Sequence, residues 1–375
     1  QVVNLLLLRG NIGREGAGAC PVRGHSNVQG DRTMGIDHNP KPAFLEALER
    51  NFGFAPPRAS GLDTVGAIDA MTAGRVRFFC AMGGNFVSAS PDSPRVAEGL
   101  ARSDLNVFVA TKLNRSHLAV GRSAFLLPCL GRTEVDLQGG VAQRVTVEDS
   151  MSMVHASAGR NTPASTALRS EPAIVAGIGA ATRATNGIAW EALVADYEGI
   201  RDVIEAVFPA LFSDFNARID TPGGFYLGNS AREREWKTTG GRAQFTAEAI
   251  PDQDLPAGQL RLMTLRSHDQ FNTTIYADDD RYRGVVGTRQ VIFLNAADLE
   301  AKGLTDGAAI DVESHFGDGE TRIVRGFRAL AYDIPPGCAA GYFPELNPLV
   351  ARGSFARGSR TPTSKFVPVT IQTAT

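Results

Sequence analysis

The pattern of hydrophobic and polar positions changes character along this chain. In the first third, apolar positions recur at helical spacing over residues 42–52, 64–73 and 94–102, and short apolar runs lie between and after them at residues 76–81, 106–110 and 124–127. Strands that alternate with helices at this spacing predict a parallel α/β sheet, which binds ligands at the carboxyl ends of its strands. The polar loops 83–86 and 111–117 follow two of these strands and are therefore candidate binding loops.

The pattern continues with two predicted helices, residues 172–181 and 190–212, and then with a segment rich in Gly, Asp and Pro. We predict a domain boundary near Pro256, because the periodicity beyond it is two. Strands are predicted at residues 260–265, 290–295, 309–314, 321–329 and 366–372, with one short helix at 296–302. This arrangement predicts a small β-barrel of mixed strands.

A glycine-rich stretch, residues 9–30, is the most distinctive feature near the start of the chain. Glycines at this density indicate backbone with positive φ, or a close approach to a bulky group. Between them lie arginine, asparagine, glutamine, serine and histidine side chains, whose donors suit a phosphate and a flat heterocycle. An ordinary polar surface loop is the alternative interpretation. The nucleotide motifs Gly-x-x-x-x-Gly-Lys-[Ser/Thr] and Gly-x-Gly-x-x-Gly are absent from this stretch.

Composition narrows the classes of function. The 375 residues, 43% hydrophobic and 21% charged, predict two or three globular domains. A net charge of -2 argues against nucleic-acid and membrane-surface partners. The apolar run 2–8 is too short to span a membrane, and we interpret it as a buried helix end or strand of a longer protein. The four cysteines are scattered and form no Cys-x-x-Cys motif, so they predict neither a disulfide framework nor a metal cluster. Cysteines without a disulfide framework are typical of proteins in the reducing cytoplasm, which is the location we expect.

Catalytic side-chain sets are not evident in the sequence. No nucleophile with a base and an orienting group stands out, and the adjacent acids Glu148 and Asp149 are better explained as a solvated turn or a helix cap. No metal-ligating residue is predicted within this chain. The sequence therefore indicates a protein that holds a large polar ligand, with the ligand supplying the chemistry.

Several motifs together resemble the molybdopterin oxidoreductases of the dimethyl sulfoxide reductase superfamily, and in particular the formate dehydrogenase alpha-subunit branch. The resemblance extends in order over essentially the whole chain. The motifs that carry it are Gly10-Asn11-Ile12-Gly13, Gly16-x-Gly18, Pro21-Val22-Arg23-Gly24-x-x-Asn27-Val28-Gln29-Gly30, Met82-Gly83-Gly84-Asn85, Leu265-Arg266-Ser267-His268-Asp269-Gln270-Phe271-Asn272-Thr273, Asn295-x-x-Asp298, Gly303-Leu304-x-Asp306-Gly307, Pro344-Glu345-Leu346-Asn347-Pro348-Leu349 and Thr361-Pro362-x-Ser364-Lys365.

The resemblance implies a molybdenum or tungsten ion held by two pyranopterin guanine dinucleotides, Mo-bis(molybdopterin guanine dinucleotide). Asn27 and Gln29 would lie near a pterin, and Thr111 with Asn114 near the guanosine end of one dinucleotide. Gly83, Gly84 and Asn85 would lie near a phosphate or ribose of that dinucleotide. The residues that would line a pyrophosphate from the barrel side are Arg266, His268, Gln270, Asn272, Thr273, Asn347 and Lys365. Arginines and neutral donors stabilise a pyrophosphate without burying a carboxylate beside it.

The resemblance also implies the domain organisation. A parallel-sheet, Rossmann-like cofactor-binding domain would be followed by a six-stranded-type β-barrel that binds the dinucleotide. Residues 1–165 would be the carboxy-terminal part of the molybdopterin-binding α/β region, residues 166–256 a helical and irregular connection, and residues 257–375 the barrel. The family's metal-ligating cysteine or selenocysteine and its 4Fe-4S segment would precede Gln1, so the catalytic residue is expected upstream.

Two positions depart from the formate dehydrogenase pattern, and both bear on the substrate. An acidic residue is common in those enzymes where this chain reads Ala110-Thr111-Lys112, and Met-Gly-Glu-Asn becomes Met82-Gly83-Gly84-Asn85. The prediction is therefore a two-electron oxidoreductase for a small substrate, formate or another, which exchanges electrons with a partner. A non-catalytic module that binds a nucleotide or cofactor and pairs with another chain is the alternative.

Overall fold

The computed structural model describes residues 1–22, 25, 27–182, 187–250, 253–273 and 275–374. The chain divides into two compact units, each built from separate stretches of sequence. The first unit comprises residues 1–61 and 129–251, and the second comprises residues 62–128 and 252–375. Arg23, Gly24 and Ser26 of the glycine-rich stretch lie outside the described residues.

The α-helices of the described residues alternate with strands over residues 64–128 and cluster between residues 171 and 219. In chain order they are α1 (Val2–Leu8), α2 (Val28–Thr33), α3 (Pro42–Phe52), α4 (Thr64–Thr72), α5 (Phe86–Ala89), α6 (Ser93–Ala101), α7 (Glu171–Ala181), α8 (Trp190–Ala195), α9 (Tyr197–Val207), α10 (Pro209–Phe212), α11 (Phe215–Ile219) and α12 (Ala296–Ala301). Short 3-10 helices lie at Arg115–Leu118 and Asn347–Leu349.

The β-strands of the described residues fall into two three-stranded sheets, a two-stranded sheet and a barrel. In chain order they are β1 (Phe78–Met82), β2 (Leu105–Ala110), β3 (Ser123–Pro128), β4 (Leu137–Gln138), β5 (Val141–Ala142), β6 (Val145–Glu148), β7 (Met153–Ser157), β8 (Phe225–Tyr226), β9 (Leu260–Leu265), β10 (Val291–Leu294), β11 (Ala309–Ser314), β12 (Arg322–Ala331), β13 (Cys338–Tyr342) and β14 (Val367–Thr373).

In the first unit, the antiparallel sheet β6-β7-β8 packs against the short helices that follow residue 197. Their shared core contains Val154 of β7, Phe212, Phe215 and Phe225, with the rings of Phe212 and Phe215 4.6 Å apart between centroids. The first unit is therefore held together by aromatic packing between a hairpin and a helical cluster.

In the second unit, β1, β2 and β3 form the predicted parallel sheet, with β2 in the centre. Ile68, Met71, Val96 and Leu100, from α4 and α6, form its core with partly buried apolar residues such as Phe79 of β1. These residues recur at helical spacing on each helix, which is why both helices turn one face to the sheet. The parallel α/β sheet is thus confirmed, while its Rossmann-like character stays a prediction.

The rest of the second unit is a closed barrel of mixed strands in the order β10-β12-β11-β14-β9-β13. The pairs β10-β12 and β13-β9 are parallel and the other pairs are antiparallel. Alternate residues of the strands fill the interior with Leu, Ile and Val side chains, among them Leu262, Ile310 and Val369. The predicted barrel of mixed strands is confirmed, with six strands.

The run 2–8 forms helix α1, one of the two elements expected for it. Two other details of the sequence prediction were wrong. The predicted helix 190–212 is divided into α8, α9 and α10, because Asp196 has extended backbone and caps α9, and Pro209 begins α10. Strand β13 was missed, since its residues Cys-Ala-Ala-Gly-Tyr do not alternate between apolar and polar.

Candidate functional site

The loops at the carboxyl ends of β1 and β2 contact each other through asparagine side chains. Asn114 Nδ2 donates to the carbonyl oxygen of Gly84 at 2.8 Å. The buried Asn85 accepts a hydrogen bond at 2.8 Å from the hydroxyl of Ser116, which itself accepts from the backbone N–H of Val87 in α5 at 2.9 Å. The fold therefore brings together Gly83, Gly84, Asn85 and Asn114 from two loops, as expected for neighbouring parallel strands. Thr111 is exposed at the end of β2.

The glycines of the first loop leave room for another molecule. Gly83 and Gly84 have φ of 66° and 72°, a conformation that side chains other than Gly seldom adopt. A Cβ atom added to either residue would meet no described atom within 4 Å. Both residues are exposed, so a large group can approach this backbone closely.

The loop of residues 266–273, which follows strand β9, is shaped by the side chain of Gln270. Gln270 Oε1 accepts from the backbone N–H of Ser267 at 3.0 Å, and its Nε2 donates to the carbonyl oxygens of Asn272 and Phe343, each at 2.7 Å. Asn272 has a φ of 48°, in the left-handed region that asparagine tolerates. The loop is thus folded on itself and tied to the end of the barrel.

Two cations lie side by side on the same part of the barrel. Arg266 is exposed and donates to Asn272 Oδ1 at 2.8 Å, and Lys365 donates to the carbonyl oxygen of Thr264. Desolvation, and secondly the charge of Arg266, lower the pKa of Lys365. Among the residues that the structure describes, neither cation forms an ion pair with a carboxylate. Their repulsion is therefore not compensated by an acidic side chain.

His268 and Thr273 occupy different environments within this loop. The ring of His268 stacks on Tyr282 at 4.0 Å, and its Nδ1 lies 3.6 Å from the carboxylate of Asp280. Asp280 also accepts from Arg283 at 2.6 Å and from the hydroxyl of Tyr342 at 2.9 Å. Burial opposes its ionisation, but these donors outweigh burial and lower the pKa of Asp280. His268 thus lies beside a buried carboxylate, while Thr273 is buried within the loop.

Asn347 joins the barrel to the segment that follows Asn85. Its buried side chain donates to the carbonyl oxygen of Ser88 at 2.6 Å, and its own carbonyl accepts from the N–H of Asp92 at 2.9 Å. Asp92 is itself paired with the buried Arg322 of β12 at 3.1 Å. These bonds hold the α/β loops of the second unit against the barrel, so Asn347 has a clear architectural role.

Asn27 and Gln29 belong to the first unit, at the start of α2. Asn27 Oδ1 accepts from the backbone N–H of Glu148 at 2.9 Å. A Cβ atom on Gly30 would lie 2.1 Å from Asn27 Oδ1, so only glycine fits there. Gln29 Oε1 is buried and has no hydrogen-bond partner among the described residues. An orphaned acceptor of this kind is rare in a folded protein, and a donor on a bound group could satisfy it.

Sequence reasoning missed Arg289, which lies just before β10 with its side chain 3% exposed. Its guanidinium pairs with Glu345 at 2.8 Å and donates to Ser267 Oγ at 2.8 Å. It also donates to Gln270 Oε1 at 3.0 Å and to the carbonyl oxygen of Phe343 at 2.9 Å. No motif or period in the sequence distinguishes this arginine from the many exposed ones.

The predicted residues fit a pyrophosphate-containing cofactor. Arg266 and Lys365 form a cationic pair that lacks an acidic partner among the described residues, which is the charge that a dianionic pyrophosphate complements. The open backbone at Gly83 and Gly84 allows a large group to approach. The individual contacts of all these residues with a cofactor stay predictions.

These features suit a protein that binds a dinucleotide cofactor, and comparison with known proteins identifies the family of the barrel. Residues 260–368, which span the barrel, match the family model of the molydopterin dinucleotide binding domain. The barrel therefore belongs to the molydopterin dinucleotide binding domain family, in agreement with the resemblance of the sequence motifs to molybdopterin oxidoreductases.

Oxidoreductases are among the proteins that are similar to this chain in sequence. An uncharacterized oxidoreductase of Mycobacterium tuberculosis is 50% identical over 381 residues, which cover 99% of this chain and 48% of the relative. Nitrate reductase of Shewanella frigidimarina is 23% identical over 355 residues, which cover 84% of this chain and 36% of the relative. The chain spans about half the length of the curated relatives that are most similar to it.

A solved structure supports the fold. Acetylene hydratase from Pelobacter acetylenicus superposes with a TM-score of 0.51 over 88% of this chain and 50% of that protein, at 14% sequence identity. Within the described residues, no cluster of three or more His, Cys, Asp or Glu side chains is arranged to hold a metal ion. None of the described helices is long and apolar enough to cross a membrane.

Proposed function

We propose that this protein is a molybdenum or tungsten oxidoreductase, similar to formate dehydrogenases, that carries two pyranopterin guanine dinucleotides. The observation that carries the proposal is the cationic pair Arg266 and Lys365, which lies within the matched dinucleotide-binding domain and has no acidic partner among the described residues. When bound, such a cofactor supplies two-electron redox chemistry for a small substrate. The descriptions of the relatives as oxidoreductases favour this class.

This chain's own residues would bind and orient the cofactor. Arg266 and Lys365 would bind a pyrophosphate by charge, because neither forms an ion pair with a carboxylate among the described residues. The open backbone of Gly83 and Gly84 would approach a phosphate or ribose. Gln29, whose Oε1 is buried without a described partner, would accept from a pterin N–H. The metal ligand, an iron–sulfur cluster and the electron partner belong to the same proposal for the whole protein.

The test uses the complete gene product, purified without oxygen. We expect stoichiometric molybdenum or tungsten by mass spectrometry, oxidised pterin fluorescence after denaturation, and one GMP released for each pterin on acid hydrolysis. Iron content measured on the same sample reports the cluster. A protein free of metal and of pterin fluorescence contradicts the proposal, and guanine-nucleotide binding without metal favours the non-catalytic module instead.

The substrate is tested on the same preparation. Formate oxidation with an artificial electron acceptor is the first assay, because the motifs of the chain resemble formate dehydrogenases. Nitrate reduction is the second, because one relative bears that name. Turnover of formate supports the proposed similarity, whereas a metal-loaded protein that turns over only another small substrate contradicts the formate part while retaining the oxidoreductase class.

A further inference from the structure

We infer that Arg289 and Gln270 are positioning residues, which together fix the loop of residues 266–273 in the form that binds the cofactor. That the loop binds a cofactor rests on the proposed function. Arg289, which lies outside every sequence motif, thereby acquires a role. Gln270 has a different role from the direct ligand contact that its place in the motif implies.

All the hydrogen-bonding positions of the Gln270 amide are occupied by partners within the protein. A glutamine amide has two acceptor positions and two donor hydrogens. The acceptors face Ser267 N–H and Arg289, both at 3.0 Å, and the donors face two carbonyl oxygens at 2.7 Å. If the amide were flipped, its NH2 group would face two donors and its oxygen would face two carbonyl oxygens. The assignment of the amide oxygen and nitrogen is therefore unambiguous. Gln270 therefore has no donor left for a phosphate.

Arg289 holds the side chain of Gln270 in place. Its guanidinium carbon lies 4.4 Å from the ring centroid of Tyr276 and 4.6 Å from that of Tyr342. The guanidinium also bonds to both carboxylate oxygens of Glu345, at 2.8 and 3.2 Å. A planar guanidinium that is already held by an ion pair and by aromatic contacts loses little further entropy when it holds a neighbouring side chain.

Gln270 and Arg289 are in turn connected to residues that are predicted to contact the ligand. Gln270 Nε2 binds the carbonyl oxygen of Asn272, and the side chain of Asn272 accepts from Arg266 at 2.8 Å. Arg289 also binds Ser267, the residue next to Arg266. The loop that carries the exposed Arg266 is thus held at both ends, by Arg289 at Ser267 and by Gln270 at Asn272. Such a preorganised loop binds an anion without first spending free energy on ordering itself.

The experiment measures the loop without cofactor and the cofactor itself, in separate assays on the complete gene product. The variants are Gln270→Ala, Arg289→Met, Arg289→Lys and the double variant Gln270→Ala/Arg289→Met. Arg328→Met is the matched control, because Arg328 is an exposed arginine of strand β12 that lies outside this loop. The first assay is amide hydrogen exchange of peptides from residues 266–273 in cofactor-free protein. The second is metal and pterin content after purification.

We expect Gln270→Ala and Arg289→Met to accelerate exchange in this loop about tenfold, since each removes hydrogen bonds that hold it. Both should lower cofactor content, Arg289→Lys should restore part of each loss, and the double variant should lose no more than Arg289→Met alone. Arg328→Met should match the wild type in both assays.

Unchanged exchange in Gln270→Ala, with cofactor content reduced, would overturn the inference, because a direct ligand contact predicts that combination. Additive losses in the double variant would contradict it as well. A wild-type protein that holds no metal or pterin would instead refute the proposed function. The exchange assay needs no cofactor, so it would still test whether the two side chains order the loop.

Discussion

The exposed Arg266 offers the sharpest single test of the candidate site. We consider the substitution Arg266→Ala, which removes a guanidinium that bonds only to Asn272 in its own loop among the described partners. A hydrogen bond between a charged donor and a phosphate contributes about 1.5–3 kcal/mol. The variant should therefore bind a guanosine diphosphate group about 10- to 150-fold more weakly. Since Arg266 is exposed, the fold should tolerate the change.

The assay is calorimetric titration of cofactor-free protein with GDP, which presents the pyrophosphate and guanosine of the expected dinucleotide. Arg281→Ala is the control, since it removes the same charge from a nearby position whose ion pair with Asp269 is exposed and 3.7 Å long. The control should change the affinity less than about twofold. A weaker salt dependence of binding in Arg266→Ala alone would confirm that the lost contact is electrostatic.

A second measurement on the same variant tests whether Arg266 lies beside Lys365, independently of whether Arg266 binds the ligand. Desolvation and the charge of Arg266 both lower the pKa of Lys365, so removal of Arg266 should raise that pKa toward the ordinary lysine value while desolvation keeps it lower. NMR of 13C-methylated lysines reports this shift. A raised pKa with unchanged GDP affinity would show that Arg266 lies beside Lys365 but does not bind the ligand, and would refute the reasoning.

Two further predictions concern the stability of the second unit. Arg322→Met should destabilise it by about 3–5 kcal/mol, because the buried carboxylate of Asp92 would lose its main partner. Arg95→Met, which removes exposed ion pairs, should destabilise it far less. Urea unfolding followed by hydrogen exchange of barrel peptides measures both effects, and equal effects would contradict the burial argument. Asp280 has a lowered pKa, so its ionised form stabilises the fold above the unfolded value of about 3.9 and that contribution is lost as the pH falls through the folded pKa. Asp280→Asn should therefore be less stable than wild type at pH 7 and should lose less stability between pH 5 and pH 2, and parallel pH profiles of the two proteins would exclude this role.

Tryptophan fluorescence provides an internal control for these unfolding experiments. Trp190 and Trp236 are the two tryptophans of the sequence, and both lie in the first unit. Their signal should change little in variants of the second unit. Separate probes are needed because a chain with two compact units need not unfold in one step.

Local sequence signals predicted the elements of the second unit well. Residues 260–265 and 309–314 alternate, and they form strands β9 and β11 with the predicted bounds. The alternation of helices and strands over residues 64–128 predicted the parallel sheet. The failures arose where the local signal was weak, as in β13, or where one capping residue, Asp196, divided an apparently continuous helix.

The motif of residues 265–273 shows how far the sequence reaches into the site. Its composition of arginine, amide and hydroxyl residues indicated a polar ligand, and the family match over residues 260–368 agrees. The motif does not distinguish a side chain that faces a ligand from one that supports the loop. Arg266 and Gln270 look equivalent in the sequence, yet one is exposed and the other has all four hydrogen-bonding positions satisfied internally.

The sequence by itself determined the periodicities, and with them the sheet and the barrel, because these depend on spacing between neighbouring residues. Only the tertiary structure decided which residues meet across the fold. Arg289 contacts Gln270 and Glu345, 19 and 56 residues away, and Asn347 reaches Ser88 across 259 residues. Such contacts follow from chain topology and from the need to satisfy buried polar groups, which one stretch of sequence does not record.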